Sequence, residues 1–142
     1  MSDTLPQNDD PRAQLLAAVP FAGHLGITFA ETRPDRVEGT LPWSPELCTA
    51  GGVLHGGAVM TLADTVGAVC AYLNLPDGAA TSTIESKTNF LRAVRSGTAR
   101  AVARPLHIGG SFIVVQTEMY DDQERLVGQT TQTQAVLAAR GA

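Results

Sequence analysis

Residues 55–75 read HGGAVMTLADTVGAVCAYLNL. Wound at 3.6 residues per turn, this run presents apolar side chains nearly all round, so it predicts a long helix over 58–75 that is buried on most sides. A membrane span would have the length but not the detail: Asp64 sits at the middle, Gly67 interrupts the run, and no Lys or Arg flanks either end. The helix is therefore expected inside a globular fold, with no membrane partner.

Outward from the helix the pattern changes. Upstream, residues 1–9 are polar and aperiodic and are expected to fray as a disordered tail, leaving 10–142 as a single domain. Asp10-Pro11 reads as an N-cap and first helical position, and Leu15, Leu16 and Val19 give a short helix that Pro20 is expected to close. Leu25, Ile27 and Phe29 then alternate with Gly26, Thr28 and Ala30, and Val37, Gly39 and Leu41 resume the alternation beyond the turn Arg33-Pro34-Asp35, so two strands are expected. Downstream of Pro76-Asp77-Gly78 four strands are expected over 81–92, 98–107, 111–120 and 125–137, separated by hairpin turn chemistry at Ser96-Gly97, Gly109-Gly110 and Asp121-Asp122-Gln123. In the last of them both faces are polar (Gln129, Thr131, Thr133 against Thr130, Gln132, Gln134), so it is not expected to lie wholly in a core. The simplest packing is α+β, a curved antiparallel sheet wrapped around one long central helix.

Composition narrows the function classes. The 142 residues are 44 % hydrophobic and 17 % charged, with a net charge of −4, so the basic footprint of a nucleic-acid-binding domain is missing and nucleic acid is not an expected partner. Cys48 and Cys70 form neither a CxxC pair nor a disulfide framework, and the N-terminus has no basic region before an apolar run, so a cytoplasmic setting is expected. His24, His55 and His107 lack zinc-site spacing, and Cys48 stands apart from them, so no metal is expected. No G-x-S-x-G occurs, which removes the nucleophile elbow of serine hydrolases. Cys70 within the apolar helix reads as a buried, inert thiol.

Chemistry concentrates on the helix. Asp64 is its one formally charged residue. Burial there disfavours the ionised form and raises the pKa, which suits a base or nucleophile, although a structural Asp bonded across the core would satisfy the same pattern. Gly56 and Gly57 stand where the chain enters the helix, so their amides lie at the positive end of its dipole and can hold an oxyanion; a plain Gly-rich turn is the alternative. Asp64 lies eight residues beyond Gly56, roughly 12 Å along the axis, whereas both must come within about 3.5 Å of one reacting atom. An antiparallel copy of the helix from a twofold-related subunit would meet that demand, so a homodimer with composite sites is expected.

His55-Gly56-Gly57 with Leu62-Ala63-Asp64 resembles the hotdog-fold acyl-CoA thioesterases of the phenylacetate-degradation (PaaI-like) type, and the extended stretch TSTIESKTNFLR over 81–92 is similar to the strand after their central helix. The resemblance implies hydrolysis of an acyl-CoA substrate with Asp64 as catalytic nucleophile or general base, Gly56 as oxyanion donor, His55 orienting the carbonyl and Thr83 assisting the carboxylate or its water. Six residues before His55 the family often has Asn or Gln, whereas this chain has Thr49, whose shorter side chain can still hold a water. Gly57, Asn89, Arg92 and Arg104 are the expected substrate-binding residues; Arg92 and Arg104, with Arg95 and Arg100, are the cations available to CoA phosphates. A tetramer of two dimers is implied as well. No cofactor is expected, because a thioester carbonyl is already electrophilic and its thiolate leaves readily. Two rivals remain: a hotdog enoyl-CoA hydratase or dehydratase, which would need a second acid/base group where the helix carries one carboxylate, and a non-catalytic acyl-CoA-binding protein, for whose usual output domain 142 residues leave no space. The acyl group itself is not specified.

Overall fold

The computed structural model describes residues 10–139, so the expected tail over 1–9 lies outside the described residues. Six strands form one antiparallel sheet: β1 (Thr28–Arg33), β2 (Arg36–Pro42), β3 (Ala80–Phe90), β4 (Thr98–Ile108), β5 (Phe112–Tyr120) and β6 (Leu126–Leu137), in the spatial order β1-β2-β4-β5-β6-β3. The helix α3 (Gly56–Tyr72) packs across its inner face, and two short helices, α1 (Pro11–Ala17) and α2 (Pro20–Leu25), precede β1. This is the α+β hotdog arrangement that the resemblance implies.

Near the N-terminus one expectation is corrected. Asp10 caps α1 by accepting from the Arg12 amide, as the sequence suggests, but Pro20 opens a second helix instead of ending the helical segment. Leu25 therefore ends α2 and is not the first residue of a strand. Gly26, at φ 90°, stops α2 in the left-handed conformation, and the Ile27 amide reaches back to the Ala22 carbonyl at 3.0 Å. A six-residue helix is too short for its period to stand apart from strand alternation.

The central helix starts at Gly56, two residues earlier than the apolar run suggests, because His55 serves as its cap. Its C-terminal end is tied down by Asn74, whose Nδ2 donates to the carbonyls of Cys70 (2.8 Å) and of Pro34 (2.7 Å) in the β1–β2 turn. Leu62, Ala63, Val66 and Cys70 are fully buried against the alanines Ala99, Ala101 and Ala103 of β4 and against Ile113, Val115 and Val37. Small residues on the sheet let the helix approach closely. What remains open is a narrow stripe at helical spacing: Gly57, Met60, Asp64 and Tyr72 are exposed, and Thr61 and Ala68 are half-buried.

The polar last strand divides by face. On β6, Thr130, Gln132 and Gln134 are buried while Gln129, Thr131 and Thr133 are half-buried, so one polar face does lie in the core. Thr130 meets Thr88 at 2.7 Å, and Gln134 donates to the Thr83 hydroxyl at 2.7 Å and accepts from Thr81 at 3.1 Å. Hydrogen bonding to β3 is what makes that burial tolerable. Gln132 is seated differently: its carboxamide and the Thr117 hydroxyl abut Gly67 of α3 and have no hydrogen-bond partner among the described residues. A Cβ at position 67 would fall 2.1 Å from Gln132 Oε1.

β3 is an edge strand. Apart from half-buried Thr81 and Thr88 its residues are exposed, Ile84 and Phe90 among them, and only β6 pairs with it. Among the described residues no helix is long and apolar enough to cross a membrane.

Replacing a helix-interior glycine with alanine ordinarily stabilises by roughly 0.5–1 kcal/mol. Gly67→Ala is expected to do the reverse, because the enclosed Gln132 carboxamide must move; thermal melting should give a lower Tm for the variant, and a raised Tm would contradict this packing.

Candidate active site

The start of α3 is built by the loop before it. The Thr49 amide donates to the Val53 carbonyl at 2.8 Å, the Leu54 amide to Val94 at 2.9 Å and the His55 amide to Leu47 at 2.8 Å, so the loop is pinned on both sides of the glycines Gly51 and Gly52. His55 then turns its own ring back: Nδ1 accepts from the Gly57 amide at 2.8 Å. A Cβ on residue 57 would lie 3.0 Å from that nitrogen, so the cap fits most easily over glycine. With Nδ1 an acceptor, the neutral ring carries its proton on Nε2, which is left to donate outward. The His55 carbonyl accepts from Ala58 and Val59. Gly56 N–H, the first amide of the helix, has no acceptor among the described residues. It is therefore the donor available at the positive end of the dipole.

Gly56 opens into a cavity of about 380 Å³ that also takes in Thr49, Phe90 and Arg92. The Phe90 ring lies against Gly56, 3.2 Å from where its Cβ would be. His55 and Gly57 border a separate cleft of about 330 Å³ with Thr61 and Phe21.

Asp64 lies two turns along the open stripe, in a third cavity of about 630 Å³ that includes Thr81 of β3. The sequence suggests a carboxylate sunk in apolar surroundings, and this is corrected: Asp64 is exposed, because it falls on the single side of α3 that the sheet does not cover. Protein atoms still crowd it enough that desolvation raises its pKa above the ordinary 3.8. It makes no hydrogen bond or ion pair among the described residues, so a structural Asp bonded across the core is not what the chain contains.

Of the other expected site residues, Thr83 is on β3 two positions beyond Thr81, and its hydroxyl accepts from Gln134, leaving its proton to donate. Thr81 is the hydroxyl that shares a cavity with Asp64, and the sequence reading missed it. The register shift between Thr83 and Glu85 changes the phase of alternation along β3, and no residue type there signals it. Asn89 stands between Thr88, bonded to buried Thr130, and Phe90, packed on Gly56; it therefore points to the outer face. Arg104 follows core residue Ala103 on β4 and is exposed on that outer face too. Thr49, Gly56 and Arg92 thus come together, Asp64 and Thr81 come together, and the two groups occupy different cavities. The Cys70 thiol is pushed up to about 11 by burial, with the Asp35 charge adding to it, in keeping with an inert residue.

The raised Asp64 pKa has a consequence for stability. Desolvation penalises the ionised form in the folded state, so the penalty is absent below the unfolded pKa and fully present once pH has risen through the higher folded pKa. Asp64→Asn should therefore raise Tm at pH 7 and leave it nearly unchanged near pH 3; equal shifts at both pH values in thermal melts would show that ionisation is not the cause.

Residues 51–128 match the family model described as the thioesterase superfamily. The chain is 35 % identical over 117 residues, covering 82 % of this chain and 86 % of its relative, to 1,4-dihydroxy-2-naphthoyl-CoA hydrolase of Escherichia coli (strain K12). It is 36 % identical over 102 residues, 72 % of this chain and 74 % of the relative, to the proofreading thioesterase EntH of Cronobacter sakazakii. Among solved structures, a thioesterase of Haemophilus influenzae superposes with a TM-score of 0.83 at 31 % identity, covering 89 % of this chain and 88 % of the other. A mutant thioesterase of Pseudomonas aeruginosa gives 0.85 at 28 % identity, covering 92 % and 96 %. The open amide at the head of α3 and the unpartnered acid two turns along it thus sit on a hotdog scaffold, and the chain is a thioester hydrolase belonging to the thioesterase superfamily.

Proposed function

We propose that the substrate is an acyl-CoA and that hydrolysis to free acid and CoA takes place between two protomers. The observation that carries this reading is the pairing, on one helix, of the unsatisfied Gly56 amide with the unpartnered Asp64 carboxylate. The similarity to a hydrolase of 1,4-dihydroxy-2-naphthoyl-CoA supports the CoA thioester class.

The two groups are separated by eight residues, roughly 12 Å of helix, too far to meet at one carbonyl. Met60, exposed on the open stripe, is midway between them. An antiparallel crossing of two α3 helices at Met60 brings each Asp64 opposite the partner subunit's Gly56, and one twofold axis creates both sites. β3 runs opposite to α3, with Phe90 beside Gly56 and Thr81 beside the Asp64 cavity, so its open edge follows the same seam. A second β3 edge would satisfy its unpaired backbone groups. Pairs of such dimers would give the tetramer.

At this composite site the Gly56 N–H holds the carbonyl oxygen as negative charge develops there, and His55 Nε2–H orients the thioester from the rim. Asp64 either attacks the carbonyl carbon, giving an anhydride that water then opens, or takes a proton from the attacking water. In both routes the C–S bond breaks and CoA leaves as the thiolate. Thr81 supplies a hydroxyl on the Asp64 side, Thr83 stands two positions further along β3 with a hydroxyl proton free to donate, and Thr49 and Arg92 line the Gly56 side. These groups suffice without a cofactor, since the thioester needs no further activation.

Asp64→Asn is expected to lower kcat by about 10²–10⁴ in a thiol-release assay on a panel of acyl-CoAs; unchanged turnover would remove Asp64 from the mechanism. In the wild type, kcat/KM should fall on the acid side as pH drops through the raised Asp64 pKa, and that limb should vanish in the variant. A composite site also predicts complementation. Asp64→Asn and Gly56→Val chains, each inactive alone, should recover activity when co-expressed, because the hybrid dimer holds one intact pair. No recovery in an isolated hybrid would place the reaction within one protomer.

A further inference from the structure

The cavity beside Asp64 lies between α1 and the open stripe of α3, and at about 630 Å³ it is in the range of small-molecule sites. Leu15, Ala18 and Val19 line one wall, and Val69, Tyr72 and Leu73 line the other. Among the described residues that line it, Asp64 is the only charged one and no Lys or Arg is present. The cavity that holds Gly56, by contrast, includes Arg92. A thioester carbonyl has two substituents that must leave in different directions. The CoA arm carries phosphates, which a cation-free space next to a carboxylate repels, so the cavity under α1 is left for the uncharged acyl group.

α1 is built to act as a wall. Arg12 ties it down, bonding Asp10 at 3.0 Å and donating to the Ala30 carbonyl of β1 at 3.3 Å, yet no residue of the helix is buried. Leu15 packs against the core from only a partly covered position. The helix lies ahead of the residues that match the family model.

We infer that α1 sets acyl specificity, admitting bulky, apolar, uncharged acyl groups in preference to acetyl, with Leu15 and Ala18 limiting their length. The inference rests on the reading that places the reacting carbonyl at Asp64. Ala18 is exposed at the end of α1, so a larger side chain there fills the cavity without entering the core.

The test is binding of non-hydrolysable thioether analogues, S-octyl-CoA and S-ethyl-CoA, measured by calorimetry. The wild type is expected to bind S-octyl-CoA at least about tenfold more tightly than S-ethyl-CoA. Ala18→Trp should erase that preference while leaving S-ethyl-CoA within about twofold, and Leu15→Ala should shift the preference toward S-dodecyl-CoA. Equal binding of the two analogues by the wild type, or an equal change for both in Ala18→Trp, would overturn the assignment. Hydrolysis of octanoyl-CoA and acetyl-CoA followed in parallel separates the two levels. An octyl preference without thiol release would sink the hydrolytic reading alone, whereas thiol release without a preference would sink the role of α1 alone.

Discussion

The burial of α3 on three of its sides is the constraint from which the site follows. Leu62, Ala63, Val66 and Cys70 are sealed against an inner sheet face lined with alanines on β4, and this close fit fixes the rotation of the helix about its own axis. Once that rotation is fixed, the remaining stripe is fixed too: Gly57, Met60, Asp64, Ala68 and Tyr72 have no sheet beneath them. A carboxylate could not stand at the neighbouring position 63 or 66 without entering the core, where an unpaired charge is strongly disfavoured. The rotation is held at the C-terminal end by Asn74 on the Pro34 carbonyl, and along the helix by the contact between Gly67 and Gln132.

Electrostatics at the head of α3 and at Asp64 follow from the same packing. The His55 ring takes the Gly57 amide and leaves that of Gly56, so the cap directs which donor faces outward. Asp64 has no partner to lower its pKa, and desolvation alone acts on it. The result is an unpartnered acid and an open donor that the chain keeps in separate cavities. The midpoint between the two groups, Met60, lies on the open stripe.

Much of this was legible in the residues. The apolar run with a lone Asp, the glycines at its head and the hairpin separators downstream lead to a central helix under an antiparallel sheet. The points that resisted had local causes. α2 was too short to show its period, β6 hid a buried polar face on which Thr130 and Gln134 are bonded by β3, and Thr81 shares its face of β3 with Thr83, so alternation alone did not single out the hydroxyl in the Asp64 cavity. Asn89 and Arg104 have suitable chemistry but stand on the outer face; for Asn89 a bulge earlier in β3 has shifted the alternation, and residue type carries no sign of it.

The amino-acid sequence by itself determined the helix, the strand count downstream and the place of the helix's one carboxylate, because these depend on periodicity and on residue chemistry within a few positions. Tertiary structure alone decided that Asp64 is open on a single protomer, that Gly56 and Asp64 border different cavities, and that α1 walls the space next to the acid. Those facts arise from how distant segments settle against one another, and they are set by the shape left over when the core has closed.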